Sequence, residues 1–375
     1  MQIVAIVAGL AILFVVLLDT FETIILPRTV TRRVRLTRLF YSSAWIVWAA
    51  AAKRVSPGRR EAFLGAFGPL SLIVLLGVWA VCLVFSFALI QWGLGSQVAA
   101  PESRPGFWSD VYMSGITFFT VGFGDVTPRT PLARFVSVAE AGGGLGFLAI
   151  VIGYLPVLYQ SFSRREVGIS LLDARAGSPP TAAELLRRHG EAQSMESLRT
   201  LLHDWERWAA DLLESHLSYP VLAYYRSQHD RESWLAALTA MLDACALLSL
   251  GFQSAPSWQG PLLWQAQLTF AMCRHAIIDL ALIFDTPPLP PTPDRLPPEA
   301  WRRLCAALDS VGIALRDGRE AEERLAMLRA QYEPFVNALA ERLLLTLPPW
   351  IEEYEALDNW QTSAWEHSDH FFHAH

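Results

Sequence analysis

Three long stretches of the N-terminal half carry no charged side chain: residues 1–18, 62–101 and 141–163. A helix needs about 20 apolar residues to cross a hydrocarbon core, and inside lipid every backbone polar group must be satisfied within its own segment. Each stretch is therefore expected to be a membrane helix, the second spanning over Leu70 to Trp92. Residues 1–18 are followed by Asp19, Glu22 and Ile24-Ile25-Leu26-Pro27. They lack the basic lead and small-residue cleavage site of a signal peptide, so an uncleaved first helix is expected.

Between positions 28 and 60 stand Arg28, Arg32, Arg33, Arg35, Arg38, Lys53, Arg54, Arg59 and Arg60, with no acidic residue among them. Basic loops stay on the cytoplasmic side, so this linker is expected inside, with the N-terminus outside. The Arg164-Arg165 doublet after the third stretch fits the same orientation. Leu39 to Ala52 is apolar but short and bracketed by Arg38 and Lys53, which suggests an interfacial helix under the membrane. Arg32, Arg35 and Arg38 recur at every third position, as in a voltage-sensing helix. The stretch is short and lacks the helices that precede a voltage sensor, so Arg32, Arg33, Arg35 and Arg38 are assigned to anionic lipid head groups. Asp19 and Glu22 are expected to pair with these arginines.

Residues 120–125 read Thr120-Val121-Gly122-Phe123-Gly124-Asp125. Stripping water from a potassium ion takes a row of inward carbonyl oxygens, and alternating glycines permit the backbone that supplies it. The hexapeptide resembles the selectivity filter of tetrameric potassium channels, with Phe123 where tyrosine is commonest. The resemblance covers chiefly residues 67–165. It implies carbonyl ligands from Thr120, Val121, Gly122 and Phe123, a half-membrane pore helix running from Trp108 to Phe119, and a homotetramer, because one chain carries one filter segment. Ser109 or Asp110 is expected to cap the pore helix.

Filter support is expected from Gly124, Asp125, Ile116, Phe119 and Glu140. Phe123 has no hydroxyl to reach the pore helix, and Phe118 with Phe119 suggests dry aromatic packing instead. Ile116 stands where some family members place a carboxylate that pairs with the filter aspartate, so Asp125 is expected to lack that partner. The third stretch contains Gly142-Gly143-Gly144, Gly146, Gly153 and Pro156. Glycine and proline ease bending, and small residues allow close helix contact; Gly144, Gly146 and Pro156 are the gating candidates. Glu140, an ionisable group at membrane depth, is expected to face protein behind the filter.

Beyond Ser163 the sequence becomes polar and tryptophan-bearing. Thr181-x-x-Glu184 fits a capping box, and Ser194 to His216 has the spacing of an amphipathic helix. Asp230 to Leu250 and Leu262 to Phe284 are more apolar. Asp243, Arg274, His275 and Asp279 make them poor spans and good bundle-core helices. A proline-dense connection, residues 286–298, precedes helices expected over Glu299 to Arg316, Glu320 to Leu345 and Trp350 to Trp360. No strand alternation or G-x-G-x-x-G element marks a Rossmann-type domain. Cys82, Cys245, Cys273 and Cys305 read as buried thiols.

His367, His370, His373 and His375 could ligate a transition metal, although a terminal tail offers nothing to orient them. His203, Glu206, Glu214 and His216 invite the same reading on one helix.

The expectation is an all-α protein: an N-terminal transmembrane helix (1–27), a basic linker (28–61), a pore module (62–165) and a helical cytoplasmic domain (166–375). The expected function is passive potassium permeation across a plasma membrane, gated at the inner helix by an unknown ligand or protein acting on the helical domain. No cofactor, enzymatic step or nucleic-acid partner is expected; nucleophile elbows and phosphate loops are missing. The alternatives are a weakly selective cation channel, or a membrane-anchored sensor whose exposed tryptophans bind a partner.

Overall fold

A computed structural model describes all residues except 27–34, 101–104, 228–231, 255–256 and 353–375. Among the described residues the regular structure is nearly all helix, and the chain divides into two compact units, Met1–Gln160 and Ser161–His375.

The first unit begins with α1 (Gln2–Thr20), which continues as a π turn, Phe21–Ile25. After α2 (Leu36–Ala52) and α3 (Pro57–Gly65) comes α4 (Phe67–Gly93), about 40 Å long at 1.5 Å per residue. The shorter α5 (Phe107–Phe118) and the long α6 (Pro131–Ala176) complete the set. Helix α1 runs antiparallel along α4. A Cβ on Gly93 would sit 2.5 Å from Ile6, and one on Gly9 would sit 2.6 Å from the Ser86 carbonyl. Small residues thus let the two backbones approach, the usual device where lipid removes the hydrophobic drive between helices.

Asp19 departs from expectation. It is fully buried and, among the described residues, pairs with no arginine: its carboxylate accepts the Thr37 N–H at 3.1 Å, the Thr37 hydroxyl at 2.6 Å and the Trp79 indole N–H at 3.0 Å. Helix α2 starts at Leu36, so its first turn holds backbone donors with no intrahelical partner, and Asp19 supplies the acceptor from another helix. Glu22 does meet an arginine, Arg35 at 3.5 Å, and Arg35 also donates to Thr23. Arg32 and Arg33 lie outside the described residues.

Nor does α2 lie apart from the pore helices. Leu36, Phe40 and Tyr41 join the cluster of Val16, Leu75, Trp79 and Leu83. Further along, Trp45 meets the edge of Phe67 at 4.9 Å and Trp48 stacks on Phe63 at 4.5 Å. The aromatic face assigned to the membrane interface is thus partly covered by the N-terminal part of α4 and by α3.

In the second unit, α7 (Ala182–Glu191) is capped by Thr181, whose hydroxyl accepts the Glu184 N–H at 3.2 Å. The Glu184 carboxylate turns instead to Arg187 and Arg188. Helices α8 (Met195–Ser218), α9 (Trp234–Leu248) and α10 (Gln259–Ile283) form the centre, followed by α11 (Pro298–Ser310), α12 (Arg319–Arg329) and α13 (Glu333–Leu343). Every residue of α9 is buried, as its all-round apolar sequence requires. The helix expected over Glu320 to Leu345 is broken, because Pro334 opens α13 and disfavours helix in the residue before it. The helix expected from Glu299 to Arg316 ends at Ser310, just before Gly312 at φ +81°. Of the segment Trp350 to Trp360, only residues 350–352 are described, and they are not helical.

Asp243 sits in α9 with two bonds from Arg295, at 2.8 and 2.9 Å. Arg295 also meets Glu333, and Arg295 and Arg329 both lie over the ring of Trp350. The proline-dense connection thereby carries the cation that neutralises the buried acid. Of the seven described tryptophans of this unit, Trp205, Trp234 and Trp350 are buried, Trp208, Trp258 and Trp301 are half-buried and Trp264 is exposed.

By length and composition, four helices can cross a membrane: α1 with its π turn, α3–α4, α6 and α10. The last was not expected to qualify. It packs on α8 through polar ties as well as apolar ones, Gln265 to Glu206 at 2.7 Å and Thr269 to the Leu202 carbonyl at 2.8 Å.

Candidate functional site: a re-entrant helix and its loop

Helix α5 points its C-terminus into the first unit and the chain turns back at once. Phe118, the last residue of the helix, is buried among Trp79, Ala80, Leu83 and Val84, with Phe147 of α6 against it. Phe119 closes the helix through the Gly115 carbonyl, and from Thr120 the backbone changes handedness. Thr120, Gly122 and Gly124 have φ of +55°, +61° and +79°, while Val121 and Phe123 are not among the positive-φ residues. A β-branched threonine in the left-handed region costs of order 1–3 kcal/mol, so surrounding contacts must hold it.

Those contacts are visible. The N–H groups of Val121 and Gly122 both donate to the Ile116 carbonyl, at 2.8 and 3.2 Å, and Thr120 N–H donates to Thr117. The loop is therefore fastened to its own helix by its donors. Among the described residues, the carbonyls of Thr120, Val121, Gly122 and Phe123 accept no hydrogen bond. Ile116 contributes to this support through its backbone oxygen, a role that its side chain does not announce.

At the far end of the loop, Val126 turns inward to meet Met113 and Val98. Thr127–Pro128 (β2) pairs antiparallel with Val98–Ala99 (β1), and the Arg129 N–H donates to Gln97. The loop is thus pinned at both ends. Asp125 is not left without a partner: the Tyr112 hydroxyl donates to it at 3.0 Å. Tyr112 was missed by the sequence reading, which looked four residues before Thr120 rather than further up the same helix.

The expected aromatic packing around Phe123 is not present within one chain. Phe118 and Phe119 touch edge to face at 5.2 Å, but Phe119 and Phe123 are 61% and 71% exposed. Val121 is also exposed, as are Leu145, Leu148 and Ile152 of α6. The capping expectation changes too. Ser109 accepts the Gly106 N–H at 3.4 Å, and Asp110 is occupied by Ser96.

Helix α6 passes behind α5. Glu140 is fully buried against Ser114, and a Cβ on Gly144 would stand 2.1 Å from the Phe118 carbonyl oxygen. Gly144 is thus a contact point between the two helices, and α6 runs unbroken through it. Gly142, Gly143, Gly146 and Gly153 have open space where a Cβ would be, and Pro156 lies inside the helix without ending it.

The other candidates do not assemble. His203 and Glu206 are 3.9 Å apart, Glu206 is taken by Gln265, and Glu214 bonds Ser218. His216 is buried beside Arg165, and burial together with that cation pushes its pKa down to about 3. Arg165 itself, of the basic doublet that follows the third uncharged stretch, is buried and donates to the Leu222 and Tyr225 carbonyls at 2.9 and 2.8 Å. No cluster of three metal-ligating side chains occurs among the described residues, and His367, His370, His373 and His375 lie outside them.

Fold and site together define a multi-pass, all-helical membrane protein with a re-entrant helix and a carbonyl-bearing loop. Residues 72–160 match the family described as "Ion channel". A membrane protein of Bacillus subtilis is 27% identical over 212 residues, 56% of this chain and 60% of that relative. A voltage-gated potassium channel of Aeropyrum pernix is 27% identical over 140 residues, 37% of this chain and 41% of that relative. The chain thus spans less than two thirds of the length of either curated relative. No solved structure matches it. Residues 72–160 are thus similar to an ion-channel module, and the chain resembles potassium channels; the C-terminal half is not recognised as a known domain.

Proposed function

We propose that this protein is a homotetrameric, potassium-selective channel of a plasma membrane. One observation carries the reading: alternating backbone handedness at Thr120, Gly122 and Gly124, with loop donors fastened to α5 and loop carbonyls free. Four such loops around an axis would give rings of oxygens that replace the hydration shell of the ion, with neighbouring ions helping one another leave. The exposure of Val121, Phe123 and the apolar face of α6 supports surfaces that other copies cover. The printed name of the Aeropyrum pernix relative supports potassium as the permeant ion.

Three spans per chain, α1, α4 and α6, with Arg38, Lys53, Arg54, Arg59 and Arg60 on the cytoplasmic side, fit the charge distribution. In this reading α10 stays in the helical bundle, since it carries Arg274 and Asp279 and its polar ties to α8. Gating by the second unit would act along α6, which carries residues of both units. Purified protein in planar bilayers, with potassium on one side and sodium on the other, tests the reading. A reversal potential near the potassium equilibrium value is expected, and one near zero refutes selectivity.

A further inference from the structure

Behind the loop, Ser114 of α5 lies between two oxygens. Its hydroxyl is 2.7 Å from the Val84 carbonyl of α4 and also in hydrogen-bond contact with Glu140 Oε1 of α6. A serine hydroxyl has one proton, and a carbonyl oxygen can only accept. The proton of Ser114 therefore goes to Val84, and the contact with Glu140 needs a donor on the glutamate side. The reverse assignment would leave the Ser114 and Val84 oxygens facing each other at 2.7 Å without a hydrogen between them. Glu140 Oε2 is buried with no partner, which a neutral acid tolerates far better than a carboxylate.

Among the described residues, no cation offsets a charge there. Helices α1, α4 and α5 contain no Lys, Arg or His, and α6 has none between Arg134 and Arg164. Besides Glu140, the titratable groups on α1, α4, α5 and the part of α6 between Arg134 and Arg164 are Asp19 (held by Thr37 and Trp79), Cys82, Asp110 (held by Ser96), Tyr112 (held by Asp125), Tyr154 and Tyr159. None supplies a positive charge.

We infer that Glu140 is a neutral carboxylic acid and a positioning residue for the filter, acting through Ser114. The geometry explains the leverage. Glu140 and Gly144 are one turn apart on α6, and they meet Ser114 and Phe118, one turn apart on α5. Between those two contacts lies Ile116, whose carbonyl holds Val121 and Gly122. Losing the proton from Glu140 leaves Ser114 one hydrogen for two acceptors, so a fastening of α5 is lost, to Val84 or to Glu140. The inference extends the proposed channel reading to the proton that reading requires.

The test uses the full-length protein and three variants, E140Q, E140A and S114A, in bilayers and by infrared difference spectroscopy. A glutamine can still donate to Ser114 but cannot titrate. The expected result is a potassium-over-sodium permeability ratio about tenfold lower in E140A and S114A, the equivalent of one buried bond, with E140Q closer to wild type. Alkalinisation should lower selectivity in wild type and not in E140Q. A protonated-carboxyl stretch should be present in wild type at neutral pH and missing from E140Q. Equal losses in E140Q and E140A, or identical pH profiles in wild type and E140Q, would overturn the positioning role. The absence of that carboxyl band would overturn the neutral acid. An unselective wild type that shows the band would sink the channel reading and leave the proton assignment standing.

Discussion

A β-carbon added to Gly144 would stand 2.1 Å from the carbonyl oxygen of Phe118, so the inner helix touches the end of the pore helix backbone to backbone. The obstacle is main chain and cannot rotate away. Replacing Gly144 by alanine should therefore separate the two helices and cost about 1–3 kcal/mol, while Gly146→Ala, with open space, should not. Thermal unfolding of the detergent-solubilised protein, together with the reversal potential, checks this. A G144A protein as stable and selective as wild type would return Gly144 to a pure hinge role.

Tyr112 donates to Asp125 at the outer end of the loop. Tyr112→Phe keeps the ring and removes the bond, and about 0.5–1.5 kcal/mol of loop stability should go with it. Single-channel recording should show shorter openings with the reversal potential near wild type. Unchanged open lifetimes would show that Asp125 is held by something else.

Asp19 ties three donors from α2 and α4 together, and Arg35 does not contact it. Asp19→Ala leaves those donors buried and unpaired, with a loss of about 3–5 kcal/mol expected by analogy with broken buried ion pairs. Arg35→Gln, which removes the partly exposed pair with Glu22 and the bond to Thr23, should cost less, about 1 kcal/mol. Equal destabilisation of the two variants would instead favour the arginine pairing that the sequence suggested.

His216 gives the second unit an acid sensitivity. Its folded pKa, pushed down to about 3 by burial and by Arg165, lies below the ordinary value of 6.5. Its contribution is therefore fully present above pH 6.5 and lost as the pH falls towards 3, at about 1.4 kcal/mol per pH unit. His189, also lowered by burial, acts in the same sense. Tryptophan-monitored unfolding from pH 7 to 5 should show a shallower slope in His216→Gln than in wild type. Parallel slopes would mean that His216 accepts its proton without cost.

The sequence alone determined much of the secondary structure and where the site is. Uncharged runs can satisfy their backbones in lipid only as helices, and residues 120–125 put glycine at alternate positions where the backbone becomes left-handed. Capping by Thr181 was legible for the same reason: its cause lies within one turn of chain.

The tertiary structure decided the partners. Asp19 caps a helix that begins 17 residues further on, at Leu36, Ser114 answers Glu140 from 26 residues away, and Arg165 is buried among carbonyls. Tyr112 has no local signal either, because its partner Asp125 lies 13 residues on, beyond the bend that ends α5. A sequence states which groups must be satisfied. Only the packing of helices distant in the chain decides which group does it, since a buried polar atom takes whatever donor or acceptor the fold brings within about 3 Å.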